Sequence, residues 1–106
     1  GAYQLYDASG KLIKVTNEKT GQSYQFSWFP EGHKQAGQLA EITKPDGHKV
    51  TATDDPKVWK LDSGALWRGV IDLNERTGEY HYKGDNGELF WSPEKSPENI
   101  SAAETR

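Results

Sequence analysis

Apolar and polar residues alternate with a period of two along most of this chain. Tyr24, Phe26 and Trp28 fall on one side of a run whose other side is Gln25 and Ser27. Ile13 and Val15 flank Lys14, and Tyr80 and Tyr82 alternate with Glu79, His81 and Lys83. Trp67, Ile71 and Leu73 share one face of a longer run, with Leu66 and Val70 on the other, and Leu89 and Trp91 flank Phe90. Successive side chains of a strand point to opposite faces, so each run reads as a half-buried β-strand. The pattern predicts strands near 3–6, 11–16, 23–29, 38–43, 48–53, 57–61, 66–73, 79–83 and 88–91. Between them stand turn formers: Asp7 to Gly10, Asn17 to Gly21, Pro30-Glu31-Gly32, Pro45-Asp46-Gly47, Asp54-Asp55-Pro56, Asp62-Ser63-Gly64, Asn74 to Gly78 and Asp85-Asn86-Gly87. Glycine supplies positive φ, Asp and Asn bond their own backbone, and Pro presets φ. Turn signals every ~8–12 residues are the mark of an all-β meander, sandwich or barrel. Helical periodicity is confined to the tail, where Ser96-Pro97-Glu98 reads as an N-cap, a first-turn Pro and a first-turn acid.

The 106 residues suffice for one domain. Only 33% are hydrophobic, but four Trp, five Tyr and three Phe supply large rings, so the expected core is built on aromatics with few aliphatics. The net charge of −3 comes from interspersed signs, which gives no basic footprint for nucleic acid. No apolar run is long enough for a membrane helix. Zero cysteines exclude disulfides, thiolate metal sites and cysteine nucleophiles.

The segments after two of the turns resemble each other. Gly10-Lys11-Leu12-Ile13-Lys14-Val15-Thr16 matches Gly37-Gln38-Leu39-Ala40-Glu41-Ile42-Thr43, and each leads through a turn and a Gly to a second β run. The offset from Gly10 to Gly37 is 27 residues, a period that a repeat architecture shows. A degenerate third copy runs through Gly64, Val70-Ile71-Asp72, Gly78 and Tyr80 to Tyr82. With its leading Tyr6-Asp7, the unit YDASGKLIKVTNEKTGQSYQFSW resembles the YD-repeat, or RHS-repeat, family; the likeness covers about residues 3–54 and is poor over 55–91. The second unit lacks the leading Tyr-Asp, and the family's self-cleaving segment has no counterpart, Asp55-Pro56 being the nearest dipeptide. The resemblance implies stacked antiparallel hairpins, as in the shells and stalks of bacterial toxins and cell-surface proteins.

Candidate chemistry is sparse. His33, His48 and His81 show no metal-ligand spacing, the carboxylates Glu31, Glu41, Asp72, Glu75, Glu79 and Glu88 sit in turns or on polar strand faces, and the serines lack a nucleophile elbow. The glycines are isolated at turns and form no phosphate loop. The longest polar stretch inside the fold, 30–38, is the first candidate for a mobile binding loop. The rings carry more information. Trp91, Phe90, Tyr80, Tyr82 and Trp59 define a hypothetical aromatic surface, since exposed rings stack on pyranose faces; the competing reading packs them across strands. Lys and Glu in the strands, with Pro30, Pro45 and Pro56, look like edge protection, and an unprotected edge would invite strand addition.

The resulting expectation is an all-β antiparallel meander of about eight or nine short strands, curling into a half-open barrel or sandwich over residues 1–91. Residues 92–106 are expected to form a disordered or short helical tail or linker. The expected role is non-enzymatic, without cofactor or metal: a structural or protein-interaction module of a bacterial, exported or surface-associated protein. Its partners would be a protein or neighbouring domains of a longer chain, with no nucleic acid and no membrane insertion. A carbohydrate-binding module contacting polysaccharide is the alternative, and a small acidic toxin-neutralising protein a further one.

Overall fold

Two turn designs account for five of the chain reversals. In the first, the residue before the turn donates its N–H to the carbonyl four residues on, and a glycine donates back to that residue's carbonyl. The bonds are Asp7 N to Lys11 O (2.9 Å) with Gly10 N to Asp7 O (3.0 Å), Lys44 N to His48 O with Gly47 N to Lys44 O, and Leu61 N to Ala65 O with Gly64 N to Leu61 O. Three-residue loops of this kind end on a left-handed residue, and Gly10, Gly47 and Gly64 all have φ near +90° (89°, 89° and 90°). The second design is used twice with nearly the same residues, Asn17-Glu18-Lys19-Thr20-Gly21 and Asn74-Glu75-Arg76-Thr77-Gly78. In each, the Asn Oδ1 accepts from the two backbone N–H groups two and three residues on, and the Thr Oγ1 accepts from the N–H beyond the glycine.

In the computed structural model, residues 1–86 are described in full, together with the strand formed by Leu89–Trp91. The strands are β1 (Ala2–Tyr6), β2 (Leu12–Asn17), β3 (Ser23–Trp28), β4 (Leu39–Thr43), β5 (Lys49–Ala52), β6 (Val58–Leu61), β7 (Leu66–Leu73), β8 (Tyr80–Gly84) and β9 (Leu89–Trp91), and these five turns make all their connections but β3–β4, β5–β6 and β8–β9. Each strand pairs antiparallel with the next, in the spatial order β1 to β9, so the fold is an all-β meander. No described residue is helical. The 92–106 tail and the side chains of 87–91 lie outside the described residues.

The sheet curls, and its inner face carries the core: Leu12, Phe26, Ile42, Val50, Trp59, Leu61, Tyr80 and Tyr82. Burial of an aliphatic or aromatic side chain contributes roughly 1.5–3 kcal/mol. Among the described residues aliphatics and rings share this core, and Leu12, Ile42 and Val50 hold its fully buried centre beside Tyr82. Leu66 and Val70 face outward and are exposed, while Trp67, Ile71 and Leu73 pack inward, as alternation along β7 requires.

Simple alternation fails in β2. It would put Leu12 opposite Ile13 and Val15, yet Leu12 and Val15 both pack into the core. A β-bulge is the reason: Leu5 pairs with Lys14 but Tyr6 pairs with Leu12, leaving Ile13 without a partner and reversing the phase. The β3–β4 hairpin has the same device, with Ser27 opposite Glu41, Trp28 opposite Leu39 and Ala40 extra. The sequence repeat is thus a structural one: the β1–β2 and β3–β4 hairpins share register, bulge position and buried phase.

The curl closes where the β7–β8 turn reaches β2. Gly78 (φ 83°) lies against Val15 so closely that a Cβ there would overlap the Val15 side chain. Tyr6 Oη donates to Arg76 O (3.0 Å) and Lys11 Nζ lies 3.5 Å from Glu75 Oε1. Inside, the Tyr80 ring meets Tyr24 and Phe26 edge-on, each at 6.0 Å, joining β8 to β3. Gly69 has a different task. It marks where β7 passes from pairing β6 to pairing β8, and a Cβ there would strike the Trp67 indole and the Lys83 carbonyl.

Candidate functional site

Of the rings proposed from sequence as a binding surface, Tyr80, Tyr82 and Trp59 lie in the core. Tyr80, Tyr82 and Trp59 are 3%, 0% and 6% exposed. The curl turns their strand faces inward, and Tyr82 packs edge-on against Trp67 at 5.3 Å and Tyr80 at 5.6 Å. The side chains of Phe90 and Trp91 lie outside the described residues. Burial pushes the Tyr82 phenol up to about 12 and raises Tyr80 further, with the neighbouring Tyr82 phenol adding to the effect. These are core phenols, and they are protonated at neutral pH.

The 30–38 loop is tied down. Phe29 and Gln38 close its neck (Phe29 N to Gln38 O, 3.0 Å), and His33 stacks on Phe29 at 4.3 Å while its Nδ1 accepts from Gln35 N. Gln35 is buried and its Nε2 donates to the carbonyls of Thr53 (2.9 Å) and Asp54 (3.1 Å), which pins this loop to the β5–β6 loop. A buried amide satisfied twice is a structural fixture.

Two histidines meet carboxylates on the surface. His48 Nδ1 lies 3.1 Å from Asp62 Oδ2, which also accepts from Lys49 N. His81 Nε2 lies 3.4 Å from Asp72 Oδ2 beside Glu79, in an open depression of about 360 Å³. Their proximity follows from register, Asp72 and His81 being directly opposite in the β7–β8 ladder. Lys83 Nζ takes the same Asp72 oxygen at 3.1 Å, which gives a ladder of three polar groups across two strands. Among the described residues no group of three His, Asp or Glu could hold a metal ion.

Two features remain. The first is the β1 edge. Pro30, Pro45 and Pro56 all lie in loops between interior strands, and β1, AYQLY, carries no charge and no Pro. Tyr3, Leu5 and Tyr6 on it are 56%, 53% and 44% exposed. Asn17 N donates toward β3, to Gln22 O, so its partner Ala2, and with it Gln4, direct their backbone groups off the open edge. The second is a groove of about 590 Å³ at the closure. Ala2 and Gln4 of β1, Val15 and Asn17 of β2, Gln22 and Tyr24 before and on β3, and Thr77 to Tyr80 line it. Sequence reading singled out neither Gln4 nor Gln22, because nothing local shows that the 74–78 turn folds back over β2. The near-identity of the 17–21 and 74–78 turns was the available signal, and it fixes their shape but not their contact.

Compared with protein-family models, with curated proteins and with solved structures, the chain matches none. The class it defines rests on its own geometry: a nine-stranded antiparallel meander, bulged in its β1–β2 and β3–β4 hairpins and rolled into a half-barrel, with β1 at one edge of the sheet.

Proposed function

We propose that this chain is a non-enzymatic structural and protein-interaction module that works by accepting a strand along β1. The carrying observation is the equivalence of the β1–β2 and β3–β4 hairpins. In the second hairpin the outer strand, β3, already holds a β2-type strand on the corresponding edge, through Lys14–Gln25, Val15–Tyr24 and Thr16–Ser23. By that equivalence the bare edge of β1 suits an antiparallel strand of the same kind, from a neighbouring domain of a longer chain or from a protein partner. Main-chain bonds supply affinity in such additions, and exposed side chains such as Tyr3 and Leu5 supply selectivity. Native sheets usually blunt edges with charge or Pro, and β1 has neither. The likeness to YD-repeat chains supports an exported or surface-associated bacterial protein.

The test is amide hydrogen exchange with a synthetic strand copying Lys11–Asn17. Exchange at the Ala2 and Gln4 amides is expected to slow about tenfold or more, the effect of populating a state that protects them. Gln4→Pro, which removes an outward N–H, is expected to abolish the protection. Exchange at these amides that stays fast at millimolar peptide would refute the reading.

A further inference from the structure

We propose that the groove at the closure of the half-barrel binds a neutral pyranose oligosaccharide. This inference goes beyond strand addition and does not depend on it: the Gln4 side chain faces the groove while its backbone faces the open edge.

The volume of about 590 Å³ lies within the ~300–1,000 Å³ range of small-ligand sites. Its floor is rigid, because Gly78 is seated on Val15 and the Tyr24 ring is fixed edge-on against Tyr80. On that floor stand polar groups left without internal partners. Neither the Gln4 and Gln22 amides nor the Tyr24 hydroxyl makes a hydrogen bond within the described residues, and the Glu79 carboxylate has no ion pair there. Other polar groups close by are engaged: Asn17 Oδ1 and Thr77 Oγ1 serve their own turns. Tyr24 is also partly buried, which raises its phenol above the ordinary value and keeps the hydroxyl a donor at neutral pH.

The ligand class follows from this lining. A primary amide offers two donors and an acceptor side by side, which matches the vicinal hydroxyls of a sugar ring. Val15 and the exposed part of the Tyr24 ring meet its apolar face. Among the described residues no cation lines the groove and one carboxylate, Glu79, does, so an anionic sugar, a phosphate or an acidic peptide is disfavoured and an uncharged polyol is suited. A peptide strand would instead ask for a continuous backbone edge, which this groove does not present at Gln22 and Glu79.

The experiment is a titration of the ¹⁵N-labelled full chain with cellohexaose, xylohexaose and hexa-N-acetylchitohexaose, with hexagalacturonate as the anionic probe. The expected result is saturable shifts of the Gln4 and Gln22 side-chain NH₂ signals with at least one neutral hexasaccharide and none with hexagalacturonate. Tyr24→Phe keeps the ring and its packing, and is expected to weaken binding about tenfold, the order of one lost hydrogen bond. Gln22→Ala is expected to do the same; if it fails to fold, Tyr24→Phe decides. No shift with any neutral hexasaccharide at millimolar concentration would overturn the proposal. So would shifts mapping away from the groove, shifts indifferent to Tyr24→Phe, or a response of these signals only to an uncharged hexapeptide of alternating Thr and Val.

Discussion

Tyr82 shows what one residue costs and contributes in this fold. It is fully buried, its ring packs edge-on between Trp67 and Tyr80, and its hydroxyl makes no hydrogen bond of good geometry. An unpartnered buried polar group carries a desolvation penalty of about 1–3 kcal/mol, whereas its ring contributes by packing. Tyr82→Phe should therefore leave stability unchanged or raise it by up to about 1 kcal/mol, while Tyr82→Ala should cost about 3–5 kcal/mol. Urea unfolding of both variants measures the difference. A large loss on Tyr82→Phe would mean that the hydroxyl is engaged.

At the scale of the element, the two bulges decide what each hairpin buries. Ile13 and Ala40 are the extra residues that let Leu12 and Leu39 face inward with Val15 and Ile42. A one-residue slip moves a strand's whole apolar set to the other face. Deleting Ile13 should remove the bulge but keep the phase, because Leu12 and Val15 then stand two residues apart and share a face. Leu12→Ala, by contrast, empties a fully buried site and should cost about 2–5 kcal/mol. Thermal unfolding by circular dichroism compares the two, and the midpoint should fall much less for the deletion than for Leu12→Ala. Equal losses would mean that the bulge does more than set the phase. The positions of the strands were legible in the sequence, because turn residues and period two are local signals. The bulges were not, since an extra residue shows only against its partner strand.

The whole molecule is closed by three phenols from two distant strands, Tyr24 of β3 and Tyr80 and Tyr82 of β8. Tyr24, Tyr80 and Tyr82 all have phenols raised above the ordinary value of 10.0, burial being the first cause in each. Below about pH 10 both folded and unfolded chains hold these protons, and stability does not depend on them. Above it the unfolded chain ionises first, so stability should fall as pH rises from about 10 toward about 12, where Tyr82 itself titrates. Lys44 acts in the opposite sense: burial lowers its ammonium, against Asp46 and Asp62, so it favours the fold more as pH approaches its ordinary 10.5. Tyrosinate absorbance followed against far-ultraviolet circular dichroism checks the balance. Ionisation of the core tyrosines should coincide with loss of the sheet, and ionisation of all five tyrosines in an intact sheet would contradict the closure described here.

The sequence alone determined the class of this protein. Strand periodicity, glycine turns and the Gly10 and Gly37 units specify an antiparallel meander of hairpins, because each of these depends on neighbours a few residues apart. Only the tertiary structure decided which faces the molecule shows. The curl carried Tyr80, Tyr82 and Trp59 inward, and it brought Gly78 onto Val15 to make a groove from residues that are far apart in the chain. The linear order of the sheet left β1 with its edge bare. Alternation along a strand separates two faces, but which of them becomes the inside depends on how the whole sheet bends.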